Sequence, residues 1–418
     1  LTPVPTRTVS QPPPSDVGGT KLAGGRAPLA VLFLTVFLDL VGFGIVIPLL
    51  PLYAETFGAG PVAVTMLVAV YSLMQFVFAP WWGRISDRFG RRPILIIGLF
   101  GSAISYIAFG LAGSLAVLFG ARILAGFMGA NVGVAQAYVA DVTDPADRAR
   151  GMGLIGAAFG LGFIFGPVIG GLLAPYGAAV PFLAAGTLAF LNALLAIARL
   201  PESLPHTDRS AAPPSFGAGL RERVAGARRA FRDATLARLY SVFFLVTFAF
   251  AALEATFSLW ADRAWALSPA EIAYVFAYIG VLVVIVQGFL VGRLSRRWGD
   301  VRLAVTGAVV LAAGLAAIPV APSPLLLALA LAGVAFGQGT TTPAISALVS
   351  RRGGRTDQGT LLGVSQSLSA LGRVVGPVLA GVLFAGVGIG APYFMGGILV
   401  AGAGVILLPL LSTGGSGR

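Results

Sequence analysis

The sequence predicts an all-α membrane protein of twelve transmembrane helices, arranged as two pseudo-symmetric six-helix bundles. Three observations lead there. The chain is 57% hydrophobic and only 11% charged over 418 residues, with mean hydropathy +0.91. A soluble chain carries about a quarter charged residues, so this one cannot cover a water-facing surface. Apolar runs of about 20 residues recur along almost the whole length, each enough for a hydrocarbon layer of about 30 Å at 1.5 Å rise per residue. Finally, the charged stretch GRISDRFGRR at Gly83 to Arg92 has an echo, GRLSRRWGD, at Gly292 to Asp300, 209 positions on.

The elements follow in order. Residues 1–27 are rich in Pro, Ser and Thr without an apolar core, which predicts a disordered cytoplasmic tail and no signal peptide. The first bundle spans 28–198, with segments near 28–53, 62–82, 93–112, 115–139, 151–174 and 179–198. Segment 1 holds one acid, Asp39, and segment 4 one base, Arg122. Segment 5 carries Gly162, Gly166 and Gly170 spaced by four, a smooth stripe on one helix face, and Pro167 removes a backbone donor there. Residues 199–235 form the one long polar linker, basic and expected in the cytoplasm. The second bundle spans 236–411, with segments near 236–260, 270–291, 301–320, 323–348, 359–384 and 391–411, and 412–418 is a short tail. Segment 7 holds Glu254 and segment 11 holds Arg373. Gly166-Pro167 is answered by Gly376-Pro377, 210 positions on, so segment 11 repeats segment 5.

Charge sets the orientation. With the N-terminus in the cytoplasm, Arg84, Arg88, Arg91, Arg92, Arg148, Arg150, the linker arginines and Arg293 to Arg302 all fall inside, and only Arg263 falls outside. Both termini are then cytoplasmic. This distribution accounts for the net charge of +12 through anionic lipid, without nucleic acid. There is no cysteine, and the single histidine, His206, lies in the linker. That excludes a thiolate metal site and leaves no catalytic grouping, so no enzyme, metal or cofactor is expected. No GxxxxGK[ST] stretch occurs, so the drive must be an ion gradient or the substrate's own.

These residues resemble the major facilitator superfamily over about 28–411. Gly83, Asp87, Arg88, Gly90, Arg91 and Arg92 look like its loop signature between helices 2 and 3. Gly153, Gly162, Gly166, Pro167, Gly170 and Gly171 fall at the spacing of the helix-5 signature of its drug/proton antiporters, and Arg122 matches the helix-4 arginine motif. LDLVGFGIVIPLLP (Leu38 to Pro51) and YSLMQFVFAP (Tyr71 to Pro80) look most like the tetracycline/proton antiporter group. Ser105 and Leu311 stand where tetracycline exporters carry acids, so the resemblance implies the antiporter class rather than tetracycline itself.

The resemblance implies that Asp87 latches the two halves on the cytoplasmic side, with the start of helix 11 near Gly359 as partner. The glycine stripe of helix 5 is expected to slide against the other half, across from Gly372 and Gly376. Asp39, Arg122, Glu254 and Arg373 would each cost roughly 2.5–3.5 kcal/mol if charged and unpaired at mid-membrane. Structural ion pairing is one reading. The other is that Asp39 and Glu254 carry the coupling proton, since desolvation and a nearby arginine act in opposite directions on a buried carboxylate. Arg122 is expected beside Asp39, and Arg373 beside Glu254. Gln136 and Gln338 are candidates for substrate contact on central helices, with Asn131 and Phe248.

The expected function is proton-coupled export of small amphiphilic compounds by alternating access, in the inner membrane of a bacterial-type cell, as a monomer. A symporter or facilitator for sugars, amino acids or organic anions keeps the same fold. A non-cycling membrane receptor or lipid-handling protein remains the alternative of another class.

Overall fold

The structure, a computed structural model, describes residues 27–144, 147–204, 232–352 and 358–413. The expectations for the N-terminal tail, most of the linker and the last residues lie outside these. Among the described residues twelve helices are long and apolar enough to cross a membrane. They are α1 Pro28–Glu55, α2 Pro61–Phe89, α3 Arg91–Gly110, α4 Leu115–Val142, α5 Arg150–Tyr176, α6 Val180–Arg199, α7 Ala234–Trp265, α8 Pro269–Trp298, α9 Asp300–Val320, α10 Pro324–Arg352, α11 Leu361–Gly386 and α12 Ala391–Leu411.

Local chemistry fixes the ends. The Asp233 carboxylate accepts from the amides of Thr235 and Leu236 and starts α7, and Ser268 with Glu271 forms a reciprocal cap on α8. The turn from α2 into α3 passes through Gly90 at φ 107°, and that from α8 into α9 through Gly299 at φ 78°. Both conformations are open essentially to glycine alone. The two copies of the charged loop therefore share one backbone turn, and each glycine amide donates back to a serine carbonyl four residues earlier, Ser86 or Ser295.

Two helices depart from simple spans. The fourth is broken near its middle, with helix over Leu115–Met128 and again over Asn131–Val142. The eighth contains a π-turn at Val286–Leu290.

Packing repeats between the halves. α1 lies on α5 as α7 lies on α11, and α3 lies on α6 as α9 lies on α12. Between the bundles, α2 meets α11 and α5 meets α8, again a symmetric pair. The apolar core is unevenly joined. One cluster runs through both bundles, from Val41, Ile45 and Phe182 to Leu253, Phe257 and Ile272. A second, around Leu32, Trp82, Ile94, Tyr138 and Leu200, belongs to the first bundle alone, at the arginine-rich face where α2 turns into α3.

The glycine stripe corrects one expectation. A Cβ on Gly162 would meet Leu40 at 2.6 Å, and one on Gly166 would meet Gly44 Cα and Val41 O at 2.7 Å. The stripe thus seats α5 on α1 within its own bundle and does not face α11. Gly376 does the same for α11, where a Cβ would lie 2.5 Å from the Phe248 carbonyl oxygen of α7. Helix 5 continues through Pro167, whose ring packs against Gly44.

Candidate functional site

The seam between the bundles is closed at the arginine-poor face. There Ser258 donates to the Pro48 carbonyl at 2.8 Å, Arg263 pairs with Glu55 at 2.8 Å, and Thr65 of α2 lies directly against Gly381 of α11. α5 touches α8 from Gly171 beside Ala270 to Gly160 beside Val284. Beyond that depth the walls separate. Gly153 lies on the same face of α5 as Gly160, seven residues away, and Gly363 lies on the same face of α11 as Gly381. Nothing stands within 4 Å of a Cβ built on Gly153, Gly156 or Gly363. The interior opens toward the arginine-rich face.

Charged side chains lie within the spans of both bundles. Asp39 on α1 accepts from Asn131 Nδ2 at 3.1 Å. Asn131 is the first residue after the break in α4, and its amide lies directly on Gly98 of α3, where any side chain would displace it. The break is held by α2: Gln75 Nε2 donates to the Gly129 carbonyl at 2.7 Å and Trp82 Nε1 to the Phe127 carbonyl at 2.6 Å. Carbonyls freed by unwinding are thus satisfied inside the bundle, as a span in lipid requires.

Arg122 does not pair with Asp39. It is 3% exposed, its Nε donates to the Leu67 carbonyl at 3.1 Å, and its guanidinium carbon sits 4.6 Å from the centre of the Tyr71 ring. Its Nη1 has no hydrogen-bond partner. Across the seam, Arg373 Nη1 donates to Ser369 Oγ at 3.1 Å. Arg373 of its own bundle and Arg122 of the opposite bundle are the cations near Glu254. Neither forms an ion pair with it within 4.0 Å among the described residues.

Of the residues expected to touch substrate, Gln338 is half-buried with Oε1 unpartnered, and Gln136 is exposed on the arginine-rich half of α4. Asn131 is instead committed to Asp39. Phe248 is 4% exposed, its ring beside Phe244 and its backbone under Gly372 and Gly376, so it forms an intrabundle joint and not a cavity wall. Ser105 donates to the Gly101 carbonyl, and Leu311 packs against Gly337. Neither offers a charge.

A model for the Major Facilitator Superfamily matches residues 32–286 and 239–416. The chain belongs to the major facilitator superfamily. It is 34% identical over 400 residues to the class C tetracycline resistance protein of Escherichia coli, covering 93% of this chain and 98% of that protein. It is 29% identical over 387 residues to multidrug resistance protein 2 of Bacillus subtilis (strain 168), covering 90% and 94%. Among solved structures it superimposes on the human organic anion transporter MFSD10 (TETRAN) with TM-score 0.70 and 28% identity, covering 95% of this chain and all of that one.

The superfamily loop signature is built here around Arg91. This buried guanidinium bonds Asp87 Oδ1 at 2.5 Å and Ser86 Oγ at 2.6 Å through Nη1, and Asp141 Oδ2 at 3.1 Å through Nε. Glu202, just past α6, accepts from the amides of Arg91 at 2.8 Å and Arg92 at 3.3 Å and so caps α3. Asp87 is thus paired with Arg91; its expected partner at the start of α11, near Gly359, lies outside the described side chains. Gly83 lies in open space; Arg88 sits over Phe89, and Arg92 Nη2 donates to the Ile197 carbonyl.

Sequence reasoning passed over Asp141 and Glu202. Both sit at helix ends rather than in apolar surroundings, so no membrane cost marks them. It also passed over Gly98 and Trp82, whose roles depend on the break in α4. Asn131 three residues after Gly-Phe-Met was the available sign of that break.

Proposed function

We propose that this major facilitator protein is a proton-coupled exporter of small amphiphilic compounds, alternating between two bundles that rock about the seam. The observation that carries the reading is the set of four charged side chains within the membrane spans: Asp39 and Arg122 in one bundle, Glu254 and Arg373 in the other. Ionisable groups at that depth are costly and mark ion or substrate pathways. The relatives named for tetracycline and multidrug resistance support export. The arginine excess supports a cytoplasmic placement of the α2–α3 and α8–α9 turns and of both termini, and the bacterial relatives support the inner membrane. The seam would then stand open to the cytoplasm. Neither cofactor nor second subunit is required, since a proton on one carboxylate that weakens substrate binding couples the two by reciprocity.

Organic anion transport is the second reading, favoured by the similarity to MFSD10. The deciding experiment reconstitutes the protein in vesicles with a trapped pH indicator and adds compounds under an imposed proton gradient. Export predicts proton movement opposite to substrate. Asp39→Asn and Glu254→Gln, tested separately, identify the coupling acid: uphill transport is abolished in one while downhill exchange persists. Uphill transport unchanged in both variants would remove these carboxylates from coupling.

A further inference from the structure

Arg122 is a buried guanidinium with too few partners. One nitrogen is taken by the Leu67 carbonyl, the plane rests near Tyr71, and Nη1 has no acceptor. No carboxylate pairs with it within 4.0 Å among the described residues. The groups that reach it are Tyr71, Tyr106 and Glu254. Glu254 belongs to the opposite bundle and lies near Arg373 as well. Asp39 accepts from Asn131 and forms no ion pair with either arginine within 4.0 Å among the described residues. Two cations therefore lie near one carboxylate without an ion pair to it, and the Arg122 guanidinium, whose fork suits a carboxylate, keeps an idle donor. An unmet buried donor is costly, so a ligand oxygen that fills it is favoured.

Charge balance narrows the ligand further. Asp39, Glu254, Arg122 and Arg373 sum to zero, so the seam suits a ligand of no net charge. A simple anion drawn to Arg122 would bind more tightly once a seam carboxylate took a proton. Reciprocity would then make proton and anion travel together, the wrong sign for proton-driven export. Competition with a proton needs a cationic nitrogen opposite a carboxylate.

We infer that the transported compound is a zwitterionic amphiphile whose anionic oxygen seats on Arg122 and whose cationic part faces Glu254 or Asp39. This rests on the exporter reading and names the substrate class of the same site.

The test uses the full chain in lipid nanodiscs and two dyes of one skeleton, rhodamine B, a zwitterion with a free carboxylate, and its ethyl ester, a cation. Fluorescence anisotropy gives the affinities. Wild type should bind rhodamine B about tenfold or more tightly over the ester, the scale of one charge-assisted hydrogen bond. Acidification should weaken that binding. Arg122→Gln should erase the preference and leave the ester's affinity within about twofold, while Arg122→Lys should retain part of it. The wild-type comparison decides even where the glutamine variant fails to fold. Equal affinity for dye and ester, or tighter rhodamine B binding on acidification, overturns the inference and leaves an exporter standing. Absence of both binding and proton movement for either dye overturns the inference together with the exporter reading.

Discussion

The two charged loops share a backbone turn and are both basic, yet the charges that tie the turn are opposite in sign. In the first, Arg91 is buried and flanked by Asp87 and Asp141. In the second, the position answering Arg91 is Asp300, and it is held by Ser295 and by Arg351, whose place in α10 answers Asp141 in α4. Arg296 stands where Asp87 stands in the first copy. The geometry of a glycine turn tying one helix end to the next-but-one helix is kept, while the sign of every participating charge is reversed. An ion pair constrains partners to be unlike, not which partner is the base, so a duplicated loop can invert its charges and remain a tie. What differs is the depth of the outer partner. The central ions Arg91 and Asp300 are 10% and 8% exposed, whereas Asp141 is 19% exposed and Arg351, which answers it, 63%.

Depth predicts the largest contrast. Arg91→Met leaves two carboxylates side by side without their shared cation and should destabilise the protein by about 3–5 kcal/mol, the range for breaking a buried pair. Arg351→Met removes a solvated cation from a buried acid that Ser295 still holds, and should cost less, about 1–3 kcal/mol. Denaturation midpoints of the two variants in one detergent measure the difference. Equal losses would mean that the second tie is as buried in function as the first and would end the distinction drawn here.

The turns themselves should behave alike. Gly90→Ala and Gly299→Ala each force a side chain into a backbone region that strongly favours glycine, at a cost of about 1–3 kcal/mol apiece. Similar shifts in the midpoint would establish that one turn serves both bundles. A cost confined to Gly90 would show that α9 can start without it.

The duplication, the twelve spans and the mid-membrane charges were legible because each leaves a one-dimensional mark: a repeated motif, a run of apolar residues, a charge where none belongs. Partners were not. Asp39 and Arg122 look paired in sequence, being the two charges deep in one bundle. Yet Asn131 takes Asp39, because the break in α4 turns that side chain toward α1 across Gly98. The glycines of segment 5 announced a close approach without saying whose backbone approaches, and the answer was α1. Phe248 carries no sign of facing the α11 glycines, because the sequence of α7 is apolar all round. The tie expected between Asp87 and the start of α11 is a matter of conformation as well as of sequence, because a latch across the seam exists only while that face is closed.

That dependence on conformation gives the smallest and sharpest prediction. At the arginine-poor face the bundles are tied by Glu55 and Arg263, whose side chains are 26% and 36% exposed. Such a half-solvated pair contributes about 1 kcal/mol or less to stability, so Glu55→Gln should barely move the unfolding midpoint. It should still shift the balance between the two seam conformations, because the pair is present only while this face is closed and its loss acts on that state alone. A free energy of 1 kcal/mol is about a fivefold change in such a balance. The sequence contains no cysteine, so single cysteines placed at Gly60, which has ordinary φ and open space around it, and at the exposed Val387 can carry spin labels without background. Distance distributions across this face should show a larger share of the separated state in Glu55→Gln, and Arg263→Gln should give the same shift. The same labels with Asp87→Asn should move the other way if Asp87 ties the arginine-rich face in the alternate conformation. Identical distributions in all three variants would mean that neither ion-paired end sets the balance, and that apolar packing of α5 on α8 does so instead.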